Sequence, residues 1–66
     1  MLERIRHQQI LELRLARPPV NALNPELLAE LREAIAAAPG EDVRALVISG
    51  GPNVFSAGLD VPRLLT

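Results

Sequence analysis

The 66-residue chain has no cysteine, no tryptophan and no tyrosine, one phenylalanine and one histidine. Without cysteine there is neither a disulfide nor a thiolate metal site to brace a small fold. Lysine is absent too: all seven basic residues are arginine, set against eight acidic ones for a net charge of -1. That balance excludes the basic field needed to hold nucleic acid or acidic lipid. Two phosphate cradles also drop out, because G-x-x-x-x-G-K-[ST] needs a lysine and G-x-G-x-x-G does not occur. No apolar run of signal or transmembrane length follows the charged start MLERIRHQQ. The expectation is therefore a cytoplasmic chain with neither a membrane nor a nucleic-acid partner.

Size sets a further bound. A domain this small buries only about 60% of its unfolded surface, and a single ring contributes little to that burial. The chain is expected either to be marginal by itself or to be a piece of a larger fold.

What is present reads in order as strand, strand, helix, strand, loop, helix. In ILELRLA the residues Leu11, Leu13 and Leu15 share one face and Glu12 and Arg14 the other, the period-two pattern of a half-buried strand. LERIRH precedes it as a second short strand, although His7-Gln8-Gln9 lacks the Asn-Gly that tight hairpins prefer. His7 reads as a surface strand or turn residue, not as a ligand. Pro18-Pro19 closes the strand region, since proline gives no N–H to a ladder. Asn24 is a good N-cap, Pro25 suits the first helical position and Glu26 suits the positive end of the helix dipole. Leu27, Leu28, Leu31, Ile35 and Ala38 form the expected apolar stripe, and Pro39-Gly40 ends the helix. Glu26, Glu30 and Glu33 are expected to be a solvated face.

The stretch VRALVIS is different. Ala45 to Ile48 are four apolar residues in succession, the pattern of a strand covered on both faces, as in a parallel sheet. One amphipathic helix covers one face, so the other needs structure from outside this chain. The class is α/β.

The loop ISGGPNVFSAGLDVPRLL carries the chemistry. Loops at the carboxyl end of parallel strands, running into a helix start, are where α/β folds place ligands. Gly50-Gly51-Pro52 turns the backbone, Val54 and Phe55 are expected to plug the core, and Ser56-Ala57-Gly58 keeps side chains small. A ligand would meet main-chain atoms, with the N–H groups near Gly58, Leu59 and Asp60 free to face an anion. Ser56 has no G-x-S-x-G elbow and reads as a turn hydroxyl. Asp60 reads as the N-cap of the VPRLL helix, and Arg63 as a surface arginine.

"PPVNALNPELLAEL", followed by a helix and "VRALVISGGPNVFSAGLD", resembles the N-terminal part of the crotonase superfamily, the enoyl-CoA hydratases and isomerases. The likeness runs from about Ile5 to Leu65 in matching order, and F-S-A-G-x-D is its most specific element. It implies a β-β-α-β-loop-α portion of a crotonase-type fold, with residues 1–66 as an N-terminal fragment of one acyl-CoA-binding domain. It implies that the Leu59 backbone N–H is half of an oxyanion hole for the thioester oxygen. Val20, Asn21 and Ala22 would line the coenzyme A groove with Ser56, Ala57 and Gly58, the carbonyls around Ala57 lying near the adenine. Coenzyme A enters as part of the substrate; no separate cofactor and no metal is implied. The second oxyanion donor, a later glycine, and the catalytic glutamates belong to sequence not present here, so the 66 residues alone are expected to be inactive. "PPVN" with "VFSAGLD" leans toward the double-bond isomerases over the hydratases, and trimers or hexamers are the implied assemblies. The reading from a different class is a non-catalytic module of 66 residues that holds a CoA-like ligand or pairs its open sheet edge with another protein.

Overall fold

The computed structural model describes residues 1–64. Two strands, β1 (Leu2–His7) and β2 (Ile10–Leu15), form an antiparallel hairpin with Leu2 opposite Leu15 and His7 opposite Ile10. The hairpin closes without glycine because Gln8 takes the left-handed region at φ 56°. Arg6 holds the turn: its guanidinium donates to the carbonyls of Gln8, Glu41 (3.0 Å) and Asp42 (3.1 Å). A third strand, β3 (Ala45–Ser49), lies parallel to β2, giving the order β1-β2-β3.

Helix α1 (Pro25–Ala37) begins as its sequence requires, with Asn24 extended at the cap and its Oδ1 accepting from Leu27 N–H at 2.8 Å. Its last turn tightens into a 3-10 turn over Ala38–Glu41, the Pro39-Gly40 stop, and Asp42 then reverses the chain at φ 61°. Leu11 and Leu13 pack against Ala34, with Leu2, Leu31 and Val43 around them.

The apolar stripe of α1 differs from expectation. Leu27, Ala34 and Ala38 are buried and Leu31 is half-buried, whereas Leu28 and Ile35 are exposed. Positions 27, 31, 34 and 38 follow the 3.6-residue period along one line, and Leu28 and Ile35 stand about 100° further round the axis. Two apolar side chains thus face outward.

Strand β3 is exposed along Ala45 to Ile48, on both faces. Register puts Leu46 beside Leu11 and Ile48 beside Leu13 on the helix side, yet α1 sits over the β1–β2 side of the sheet. Residues 1–64 therefore leave both faces of this apolar strand exposed, where the sequence suggests one covered face.

Beyond β3 the chain doubles back, Gly51 N–H donating to Val54 O at 3.0 Å. The return passes so close to Gly50 that a Cβ there would stand 2.5 Å from Phe55 O and 2.6 Å from Phe55 Cα. Glycine is required at this crossing. Phe55 itself is 56% exposed, so it does not plug the core. Its backbone is what the fold uses here, and the ring is left more than half exposed by residues 1–64. Helix α2 (Val61–Leu64) starts after Asp60; Leu65, the end of the expected helix, lies outside the described residues.

Candidate functional site

Two irregular segments, 17–24 and 54–60, run side by side and build the site. Ala57 N–H donates to Val20 O (2.9 Å), Leu23 N–H to Gly58 O (2.8 Å) and Asp60 N–H to Leu23 O (2.9 Å). These make a short parallel bridge between Leu23 and Leu59.

The bridge orients one peptide unit. In a planar trans peptide the C=O and N–H point in opposite directions. Because Gly58 O is tied to Leu23, the Leu59 N–H points away from that segment. No described residue accepts it. The Leu59 side chain is 59% exposed beside it. Gly58 sits at φ +96° with open space where a Cβ would lie, so the backbone conformation, and not crowding, calls for glycine.

Asn21 is the clamp. It is 5% exposed and held in the left-handed region at φ 53°. Its Oδ1 accepts from Arg17 N–H at 2.7 Å and its Nδ2 donates to Phe55 O at 3.0 Å. Its carbonyl accepts from Ser56 Oγ at 2.7 Å, and the same oxygen of Ser56 accepts from Gly58 N–H at 3.1 Å. The Ser56 hydroxyl is thus a turn group with both functions engaged.

Two further residues do work that sequence reasoning missed. Arg17 donates from Nη1 to Ala22 O at 2.9 Å and pairs through Nη2 with Asp60 Oδ2 at 3.0 Å. Leu23 supplies the bridge. An arginine immediately before Pro-Pro, in an otherwise apolar segment, was the available signal; for Leu23 there was none, since its role is entirely main-chain. Asp60 does stand just before α2, and its carbonyl accepts from Arg63 N–H at 3.1 Å.

Of the residues read as site-forming, Val20, Ala57 and Leu59 are exposed, Ala22, Ser56 and Gly58 half-buried, and Asn21 buried. All seven lie on the two paired segments. The charged groups elsewhere serve other ends. Arg63 pairs with Glu26, which lowers the Glu26 pKa and raises that of Arg63. On the sheet face away from α1, Glu12 accepts from Ser49 Oγ (2.6 Å), His7 Nε2 (2.8 Å) and Arg14 Nη2 (3.1 Å). Those donors, Ser49 foremost, lower its pKa to about 2, which makes it a poor proton acceptor for catalysis. Among the described residues no group of three or more His, Asp or Glu is placed to hold a metal, and no helix is long and apolar enough to cross a membrane.

The three-stranded mixed sheet, its covering helix and the glycine-kinked loop after β3 form part of the crotonase fold. The sequence profile of the family described as Enoyl-CoA hydratase/isomerase matches residues 5–66, and the chain belongs to that family. It is 45% identical over 58 residues to a probable enoyl-CoA hydratase, EchA17, of Mycobacterium avium, covering 82% of this chain and 21% of the relative. It is 38% identical over 56 residues to the human peroxisomal bifunctional enzyme, covering 83% of this chain and 8% of that protein. Among solved structures, the probable enoyl-CoA hydratase EchA3 of Mycobacterium tuberculosis superposes with a TM-score of 0.84 at 38% identity, over 97% of this chain and 27% of its own. An enoyl-CoA hydratase from Thermoplasma volcanium gives 0.84 and 38% over 98% and 27%. The chain therefore spans 21% of the length of the EchA17 relative and 27% of these solved structures.

Proposed function

We propose that this chain is the N-terminal part of a longer acyl-CoA enzyme of the enoyl-CoA hydratase/isomerase type. The Leu59 amide acts as one donor of an oxyanion hole. Removing a proton next to a thioester carbonyl, or adding a nucleophile to its enoyl group, builds negative charge on the carbonyl oxygen. A fixed N–H dipole stabilises that charge more than it stabilises the neutral carbonyl, so it lowers the barrier instead of merely tightening binding. The observation that supports this reading is the Leu59 N–H itself, turned outward by the bond between Leu23 and Gly58.

The acyl-CoA passes along Val20, Asn21, Ala22, Ser56, Ala57 and Gly58, with the buried Asn21 holding Arg17, Phe55 and Ser56 from beneath. The proton-transferring glutamates and the second donor come from sequence beyond these residues, and the 66 residues alone are inactive. The preferred reaction is double-bond isomerisation, in a cytoplasmic homotrimer or hexamer. The bare strand β3 favours this reading over a self-sufficient binding module, because a stable module would cover it.

The test is isotope-edited vibrational spectroscopy of the full-length enzyme with acyl-CoA labelled at the carbonyl carbon. The carbonyl stretch is expected to fall on binding; an unchanged stretch in a saturated complex removes the oxyanion assignment. Comparing turnover of 2-enoyl-CoA hydration with that of 3-enoyl-CoA isomerisation decides the reaction.

A further inference from the structure

Asp60 follows the proposed donor directly, its Cα ~3.8 Å from that of Leu59, and its carboxylate is turned to Arg17 on the 17–24 segment. A negative charge at that place, in a partly buried site, raises the energy of any enolate formed against the Leu59 amide. The donor and its neighbour therefore act in opposition unless the carboxylate is neutralised. Asp60 stands just before α2, its N–H bonded to Leu23 O and its C=O accepting from Arg63 N–H.

Arg17 resolves the conflict from the other segment. Its Nη2 lies 3.0 Å from Asp60 Oδ2, both side chains being mostly shielded, and its Nη1 donates to Ala22 O at 2.9 Å. Its own backbone is pinned from both sides, N–H to Asn21 Oδ1 and C=O from Asn21 N–H at 2.8 Å. The guanidinium thus spans the two segments on the downstream side of the donor peptide, while Asn21 spans them on the upstream side. We propose that Arg17 is a positioning residue which masks the charge of Asp60 beside the Leu59 amide, and so preserves the donor's effect on the reaction. This rests on reading Leu59 as an oxyanion donor.

The proposal predicts an asymmetry that a plain structural ion pair does not. Loss of Arg17 leaves a bare carboxylate on the residue after the donor; loss of the Asp60 charge leaves none. In the full-length enzyme assayed with an enoyl-CoA, Arg17→Met is expected to lower kcat about 10- to 100-fold with KM changed less than about threefold. Asp60→Asn is expected to stay within about threefold of the parent, and Arg17→Met with Asp60→Asn to regain at least about tenfold of the lost kcat. Bound to Arg17→Met, the labelled thioester carbonyl is expected to shift less than when bound to the parent.

Equal kcat for Arg17→Met and the parent overturns the proposal, as does a folded double variant no faster than Arg17→Met. If Arg17→Met alone does not fold, the double variant decides: near-parental kcat supports the proposal, and loss of activity with the fold intact overturns it. A parent complex with no carbonyl shift defeats the oxyanion reading itself. A shift that is the same in parent and Arg17→Met, with equal kcat, defeats the role of Arg17 alone.

Discussion

Leu23 donates its backbone N–H to Gly58 O at 2.8 Å, and through that one bond a leucine with no chemical function aims the amide of the following residue. The relationship is main-chain to main-chain, so side-chain identity at position 23 matters only for packing. What matters is that residues 23 and 59, far apart in sequence, are brought into a two-residue bridge.

Gly58→Ala tests the bend behind that bridge. At φ +96° an alanine pays strain although nothing obstructs its Cβ. A stability loss of about 1–2 kcal/mol is expected, together with, on the proposed role of Leu59, a fall in kcat as its peptide tilts. Chemical denaturation and steady-state kinetics of the full-length enzyme check both.

At Gly50 the obstacle is space. A Cβ there meets the Phe55 backbone, which cannot swing aside as a side chain would. Gly50→Ala is expected to destabilise by at least about 2 kcal/mol, within the range of overpacked positions. Gly40→Ala, where no atom lies within 4 Å, is the control and should change stability by less than about 1 kcal/mol. Paired thermal melts read the contrast.

Asn24→Ala removes the acceptor for Leu27 N–H at the start of α1. Because both residues are buried, water does not replace the bond freely. A cost of about 1–2 kcal/mol is expected, most of it recovered in Asn24→Asp or Asn24→Ser. Urea denaturation of the three variants measures it.

Glu12 imposes a pH dependence. Its folded pKa, about 2, lies below the ordinary 4.5, so the carboxylate is the form the fold prefers. The resulting stability is fully present above about pH 4.5 and is lost as pH falls through 4.5 towards 2. Glu12→Gln should be less stable near neutrality and should show a flatter dependence across that window. Denaturation midpoints measured from pH 2 to 6 decide; parallel curves for the two proteins would contradict the assignment.

The elements were legible because each has a local cause. Alternation in ILELRL, the Asn24-Pro25-Glu26 helix start and the Pro39-Gly40 stop act over a few residues, and all three appear where expected. The stripe on α1 was legible only in part. Period alone gave Leu28 and Ile35 the same standing as Leu27 and Leu31, and which of them turns inward depends on where the sheet lies. Phe55 failed for a related reason: an aromatic after a strand suggests a plug, but its burial needs neighbours that residues 1–64 do not provide.

The amino-acid sequence alone determined the order of elements, the cap of α1, the glycine-kinked loop and the family likeness, because these are set by short-range sterics and hydrogen bonding. Only the tertiary structure decided that Arg17 meets Asp60, that Asn21 locks Phe55 and Ser56 in place, and that the Leu59 amide faces outward. Those contacts join segments more than thirty residues apart, and no local propensity specifies which two loops the packing of a helix on a sheet will bring together.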